Sequence, residues 1–235
     1  MDGAVRRVGV NLTVAVMLAF AAGCVDAVCF DRVFAVFPAN QSGNAILLGI
    51  ALGRGDGAHT WRPAVAIVGF GLGVALAILL GSRVARRHRP EILLALELAL
   101  LVPVAVVVLD DAHPASELGA VASGVLVALT ACAMGLQTEV IGRVAGIAVA
   151  TTYQTGAITR MAESIAHRVA PAARRPEVAR GLGILGCVLV AYVGGAAAGA
   201  GLGTWRGSLL VPMAVLVATG CLAAVAPSPS GSPVS

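Results

Sequence analysis

The stretch VFAVFPANQSGNAILLGIALG, residues 33–53, interrupts a strongly apolar chain with a short polar segment that contains proline and glycine. A similar stretch, GIAVATTYQTGAITRM, follows about half a chain later, at residues 146–161. Irregular polar backbone at membrane depth is tolerated only where it is buried in protein or lines a cavity. These two breaks therefore decide the predicted fold and mark the best candidate site.

The composition is that of an integral membrane protein. Of the 235 residues, 58% are hydrophobic and only 12% are charged, whereas a soluble domain carries roughly 25% charged residues. An apolar run of about 20 residues crosses the hydrocarbon core of a bilayer. Six uncharged or nearly uncharged runs predict six crossings, at residues 8–25, 63–82, 91–110, 118–138, 181–205 and 207–226.

The arginines, which supply all 16 basic side chains, distinguish two topologies. If both broken segments cross the bilayer, nine arginines lie inside and seven outside. If each broken segment enters and leaves on one side, twelve lie inside and four outside. The second arrangement satisfies the positive-inside rule and the first hardly does. The basic net charge therefore indicates orientation, with both termini cytoplasmic, rather than nucleic-acid binding.

The two halves of the chain show weak internal similarity. Residues 23–26 (GCVD) align with 135–138 (GLQT), and after a one-residue slip 40–43 (NQSG) align with 153–156 (YQTG). Each half then consists of a helix, a broken segment and two further helices. Because three crossings per repeat is an odd number, the repeats are inverted relative to each other, which is a recurrent transporter design.

The predicted fold is an all-α membrane protein with six transmembrane helices and two re-entrant broken half-helices, arranged as two inverted repeats. It forms a single domain over residues 1–226, with repeat 1 at about 8–109, repeat 2 at about 118–226 and a disordered proline-serine tail at 227–235. The alternative that residues 6–24 form a lipoprotein signal peptide is disfavoured, because cleavage would remove half of a duplicated unit.

Each break is predicted to place a helix N-terminus near mid-membrane. Residues 33–37 and 146–150 are expected to be extended, residues 45–53 to form a nine-residue helix, and a second short helix to begin at Gly156. Two such ends facing each other would bind an anionic or strongly polar group. The predicted solute contacts are Asn40, Gln41, Ser42, Gly43, Asn44, Tyr153, Gln154, Thr155 and Gly156. The alternative is that both breaks are kinks whose polar groups bond to neighbouring helices.

Two carboxyl groups within apolar spans are candidates for proton or ion coupling, because such groups are rare in membranes and usually functional. They are Asp26 and Glu97. Asp26 has the alternative of lying at the outer interface or pairing with Arg32, and Glu97 that of a packing role. An interfacial position explains Gln137 and Glu139.

No nucleophile–base pair, phosphate loop or metal-ligand spacing is present in the sequence, so we predict no enzymatic activity, no catalytic residue, no metal and no cofactor. The five cysteines fall within apolar spans and are interpreted as small apolar fillers. The predicted partners are the lipid bilayer and a small solute, without nucleic acid; the oligomeric state stays open.

Residues 21–52 resemble the N-terminal signature of the YoaK-like bacterial membrane proteins, a family known as a domain of unknown function. The matching residues are Gly23, Val25, Asp26 and Ala27, then Phe30, Phe34 and Phe37, then Ser42, Gly43 and Asn44, with Ser42 at the usual threonine. The resemblance implies a multi-pass protein of the bacterial inner membrane and supplies no activity.

Two functions follow from these patterns. The first is a small secondary transporter or channel-like permease for a polar or anionic solute, bound between the two half-helix N-termini. The second is a membrane-embedded structural or regulatory protein without a solute path. A polar cavity reaching one face favours the first, and breaks closed by their own hydrogen bonds favour the second.

Overall fold

The computed structural model describes residues 2–85, 87–110, 118–140, 143–144, 147–148, 154–169, 176–202 and 205–225. Over these ranges the chain is helical apart from turns, bends and one hairpin of two-residue strands. Six of the described helices are long and apolar enough to cross a membrane. The predictions of a helical membrane fold and of six helices able to span a membrane are confirmed.

The first half of the chain contains four α-helices and a π-helical turn. They are α1 (Asp2–Val28), the π-turn (Cys29–Val33), α2 (Gln41–Gly53), α3 (Gly57–Arg83) and α4 (Arg89–Leu109). The second half contains α5 (Ala120–Thr138), β1 (Arg143–Val144), β2 (Ile147–Ala148), α6 (Gln154–Val169), α7 (Pro176–Gly201), a 3-10 turn (Arg206–Leu209) and α8 (Leu210–Val225). The strands β1 and β2 pair antiparallel. The short helices α2 and α6, with 13 and 16 residues, are not among the six candidate spans.

The core of the molecule lies between the two halves rather than within either. Helix α1 packs against α7 and α8, while α5 packs against α3 and α4, and α4 also contacts α8. Within each half, α2 lies on α3 and α6 lies on α7. Exchanging α1–α4 for α5–α8 leaves this set of helix pairs unchanged.

Glycines bring α1 and α7 into direct backbone contact. A methyl group on Gly23 would overlap the carbonyl oxygen of Tyr192, and one on Gly195 would overlap that of Phe20. Small residues permit such close approach of helices in a bilayer, where van der Waals packing drives association. The α1–α7 crossing therefore depends on residues without side chains.

The crossing of α3 and α5 is built in the same way. A methyl group on Gly135 would overlap the carbonyl oxygen of Phe70, and one on Gly73 would overlap that of Cys132. Gly135 is the residue that aligns with Gly23 in the sequence. The two interfaces thus use equivalent contacts.

The outer surface of the helices is apolar, as expected for contact with lipid. Large hydrophobic side chains are more than half exposed on α3, α5 and α7, among them Val68, Leu72, Val121 and Val190. Soluble monomers rarely expose apolar patches of this extent. The buried faces of the helices contact other helices.

The first break differs from its predicted extended form. The π-turn continues α1 to Val33, and the Phe34 amide donates to the Cys29 carbonyl at 2.8 Å. Ala35 then adopts a positive φ of 54° rather than an extended conformation. Helix α2 begins at Gln41 rather than at residue 45, so it is 13 residues long instead of nine.

The second break also begins its helix earlier than predicted, at Gln154 rather than at Gly156. Part of the segment predicted to be extended is the strand β2. Tyr153 and the side chains of Gln154 and Thr155 lie outside the described residues, so those predicted contacts stay predictions.

Candidate functional site

Asp26 connects the first break to the second half of the molecule. It lies near the end of α1 and is only 2% exposed. Its Oδ1 accepts a hydrogen bond from the Ala39 amide at 2.6 Å, and its Oδ2 accepts one from the Tyr192 hydroxyl at 2.5 Å. Among the described residues Asp26 forms no salt bridge with Arg32, whose guanidinium donates to the Trp205 carbonyl instead. The alternative of a position at the outer interface stays a prediction.

The sequence around Asp26 explains this arrangement. Residues three apart on a helix share a face, so Asp26 lies on the same side of α1 as Gly23. Gly23 allows α7 to approach at Tyr192, and the tyrosine side chain then reaches the carboxylate one turn further along α1. A buried carboxylate with two donors is thereby satisfied at the junction of two helices.

The Asn44 side chain links the start of α2 to the break through hydrogen bonds. Its side chain is fully buried, its Oδ1 accepts from the Phe37 amide at 2.9 Å, and its Nδ2 donates to the Phe37 carbonyl at 2.6 Å. The same Nδ2 group also donates to Gln41 Oε1 at 2.9 Å. A methyl group on Gly43 would press on the Phe37 ring, so glycine permits this packing.

The other polar side chains at this helix tip also bond within the break. Asn40 is the N-cap, and its Oδ1 accepts from the Gly43 amide at 3.3 Å and from the Ser42 hydroxyl at 2.7 Å. Gln41 Nε2 donates to the Pro38 carbonyl at 2.8 Å. The structure therefore brings the five predicted residues of the first break together, and their four side chains are hydrogen bonded to one another and to the local backbone.

The two half-helices have different main neighbours. Among the described residues α2 packs chiefly on α3, and α6 packs chiefly on α7. Gly156, near the start of α6, is half-buried. The prediction that the two helix tips face each other thus stays a prediction.

Glu97 is the second predicted coupling group, and it lies on a different set of helices. It is fully buried on α4, which packs against α5 and α8. Neither of its carboxyl oxygens has a hydrogen-bond partner within the part of the chain that the structure describes. Its neighbours on the same helix face, Leu93, Leu94 and Leu101, are all buried apolar residues. No described hydrogen bond joins Glu97 to Asp26.

Gln137 is a buried polar residue that joins two helices. It is fully buried, and its Nε2 donates to the Leu18 carbonyl of α1 at 3.0 Å. It belongs to the GLQT motif that aligns with GCVD. Glu139 is half-buried and pairs with Arg89 at 3.3 Å, and the interfacial depth of both residues stays a prediction.

The comparisons with known proteins agree with this membrane architecture. The family described as "Protein of unknown function (DUF1275)" matches residues 14–226. The chain belongs to this family. The DUF1275 chain is also similar to the UPF0700 transmembrane protein YoaK of Bacillus subtilis (strain 168), with 28% identity over 156 residues. The predicted resemblance to YoaK-like proteins is confirmed.

The alignment with YoaK covers 65% of the DUF1275 chain and 66% of the relative. The chain therefore spans slightly less than two thirds of the length of the curated relative it matches. No solved structure matches the DUF1275 chain.

Proposed function

We propose that the protein is a small secondary transporter or permease for a polar or anionic solute, in the inner membrane of a bacterium with both termini cytoplasmic. The observation that carries this proposal is the buried carboxylate of Asp26, which joins the broken segment of the first half to α7 of the second half. Carboxylates within membranes are costly to keep and usually mark ion or proton pathways.

Asp26 is suited to control the break because it accepts from two donors at once. An ionised carboxylate is an acceptor only, whereas a protonated one gains a donor and loses acceptor capacity. Protonation therefore weakens the link between Ala39 and Tyr192. Release of this link frees the break to move relative to α7.

The packing of the helices supports an inverted-repeat arrangement. The set of helix pairs is unchanged when the halves are exchanged, and equivalent glycines form both main interfaces. Helices of 13 and 16 residues are shorter than the roughly 20 residues that a crossing needs. Re-entrant half-helices entering from opposite sides, with one repeat rocking against the other, would give alternating access.

The proposed solute contacts are the start of α2 and the start of α6. The first residues of a helix carry free N–H groups and a partial positive charge, which favour an anionic or polar group. Those at α2 are Asn40, Gln41, Ser42, Gly43 and Asn44, and those at α6 are Tyr153, Gln154, Thr155 and Gly156. Glu97, buried without a described partner, is the second proposed proton-binding group.

A non-transporting structural or regulatory role is the second candidate. It is favoured by the hydrogen bonds that Asn44, Gln41 and Ser42 make within the break. In this alternative the break is a stable kink that shapes α2 for helix packing, and Asp26 holds it in place.

Flux measurements distinguish the two functions. We expect proteoliposomes with the wild-type protein to take up at least one member of a panel of polar and anionic solutes, with a dependence on the pH gradient. Asp26→Asn should reduce the pH dependence, and Ser42→Ala with Gln154→Ala should reduce uptake. The matched control is Thr138→Ala, at the residue aligned with Asp26, which should leave uptake unchanged.

Uptake no faster than in protein-free vesicles for every solute would reject transport and favour the structural role. Wild-type behaviour of a correctly folded Asp26→Asn protein would remove Asp26 from the mechanism.

A further inference from the structure

A cavity separate from the proposed solute contacts lies between the first break, α2 and α3. Its volume is about 350 Å³, within the range of roughly 300–1,000 Å³ typical of small-molecule pockets. One part of its lining is apolar and includes Phe30, Phe34, Leu47 and Ile50. The other part is polar and consists of Arg54, Asp56, His59 and Arg62. The cavity is therefore amphipathic.

The polar end of the cavity carries excess positive charge. Asp56 Oδ2 and His59 Nδ1 are hydrogen bonded at 2.7 Å, and this bond lowers the pKa of Asp56. Asp56 is thus ionised at neutral pH and engaged with His59. Among the described residues, neither Arg54 nor Arg62 forms a salt bridge with a carboxylate.

Arg62 also has an unused hydrogen-bond donor. Its Nε is buried and has no acceptor among the residues that the structure describes. The guanidinium carbon lies 5.3 Å from the centroid of the Trp61 ring, so the guanidinium group forms a cation–π contact with this ring. Buried donors are almost always satisfied in native proteins. The missing acceptor points to a ligand that supplies one.

We propose that this cavity binds an amphipathic oxyanion, with its carboxylate or phosphate group against Arg54 and Arg62 and its hydrocarbon chain against Phe30 and Ile50. Guanidinium groups bind planar carboxylates and phosphates through charge-assisted hydrogen bonds. The apolar lining accepts the methylene groups next to the charge. This site does not depend on whether the protein transports a solute.

Two sources supply this chemistry, namely a free amphiphile from the aqueous phase and an anionic phospholipid from the bilayer. Both place an oxyanion next to an apolar chain. The probes are octanoate for the first source and phosphatidylglycerol for the second. Octanol and phosphatidylcholine are the matched compounds without net negative charge.

Trp61 provides a local readout of binding. The chain has two tryptophans, so Trp205→Phe leaves Trp61, in contact with Arg62, as the only one. We expect the Trp61 emission of the full-length protein to change saturably with octanoate in neutral detergent or with phosphatidylglycerol in nanodiscs. Octanol and phosphatidylcholine should not saturate the signal.

Substitutions at the arginines test the assignment. Arg62→Gln should weaken binding by about tenfold or more, the loss expected for a hydrogen bond to a charged group. Arg54→Gln, at an exposed position, tests the same site if Arg62→Gln fails to fold. The control Arg83→Gln, at the opposite end of α3, removes the same charge and should bind like the wild type.

Saturation by octanoate alone supports the site with an aqueous source, and saturation by phosphatidylglycerol alone supports it with a bilayer source. Saturation by neither probe overturns the proposal. So does equal binding of octanol and octanoate, or wild-type affinity in folded Arg62→Gln and Arg54→Gln proteins.

Discussion

The interface of α1 with α7 and that of α5 with α3 are built on the same backbone contacts but differ in chemistry. Gly23 lies against the Tyr192 carbonyl in one, and Gly135 lies against the Phe70 carbonyl in the other. Three residues after these glycines come Asp26 and Thr138. Asp26 bonds to Tyr192 across the interface, whereas the Thr138 hydroxyl donates to the Met134 carbonyl within its own helix.

The two interfaces share the contacts that set helix packing but differ in their polar side chains. The glycine contacts, which set how closely the helices approach, are shared by both halves. The buried carboxylate and its tyrosine occur only at the first interface. We therefore expect the functional polar chemistry to depend on the first of the two equivalent interfaces alone. Substitutions at matched positions in the two interfaces can test this expectation.

The greatest loss of stability is predicted for substitutions at the glycine contacts that both interfaces share. Gly195→Ala and Gly73→Ala each force a methyl group against a backbone carbonyl of the neighbouring helix, so each should lower the free energy of unfolding by about 3 kcal/mol. Gly194→Ala and Gly71→Ala are the controls, because a Cβ there meets nothing within 4 Å. The measurement is thermal or denaturant unfolding in detergent, and clearly unequal losses in the two halves would contradict their equivalence.

The next effect should be confined to the first half. Asp26→Ala leaves the Ala39 amide and the Tyr192 hydroxyl without their acceptor, at a cost of about 2 kcal/mol. Thr138→Ala should change the free energy of unfolding by less than about 0.5 kcal/mol. Equal losses at the two positions would show that the chemistry is not one-sided.

A smaller effect is expected within the break itself. Asn44→Ala removes two hydrogen bonds to Phe37. The half-buried Phe37 amide is then unpaired and its carbonyl keeps only the 3.5 Å bond from Gln41 Nε2, so we expect a loss of about 1.5 kcal/mol. Faster hydrogen exchange at Phe37 should accompany it. Ser42→Ala, which removes one exposed hydrogen bond, is the control; exchange that rises as much in this variant would argue against a specific role for Asn44.

The smallest loss of stability is predicted for a change that makes the aromatic residues of the two interfaces alike. Tyr192→Phe gives the first interface the aromatic residue that the second has at Phe70. Loss of one hydrogen bond to a buried carboxylate should cost about 1 kcal/mol and increase exchange of the Ala39 amide. Phe70→Tyr is the reciprocal change, and it should gain no stability because Thr138 offers no carboxylate.

The features that the sequence predicted are those that depend on local pattern. Apolar runs alone predict the six candidate spans. The GCVD and GLQT alignment, which indicated a repeat, also coincides with the two glycine contacts that the structure shows. The polar residues 40–44 predict a helix start, but several of them are good caps. Asn40 takes the capping position because Asn44 is buried against Phe37, and this tertiary contact has no local signature.

The partner of Asp26 was not predictable for a different reason. Tyr192 is 166 residues away in the sequence, and only the crossing of α1 with α7 brings the two together. The acceptor of Gln137, the Leu18 carbonyl, likewise lies on another helix and has no local signal in the sequence. Long-range pairing of helices, rather than helix formation, is what the sequence leaves open.

The distance of 166 residues between Asp26 and Tyr192 has a consequence for biosynthesis. Ribosomes add about 5–20 residues per second, so α1 is complete roughly 10–30 s before its tyrosine exists. During that interval the Asp26 carboxylate can accept from the Ala39 amide but not yet from the Tyr192 hydroxyl. A nascent chain that stalls before α7 therefore carries an acidic group that lacks one of its two donors, which gives the insertion and degradation machinery a feature by which to recognise it.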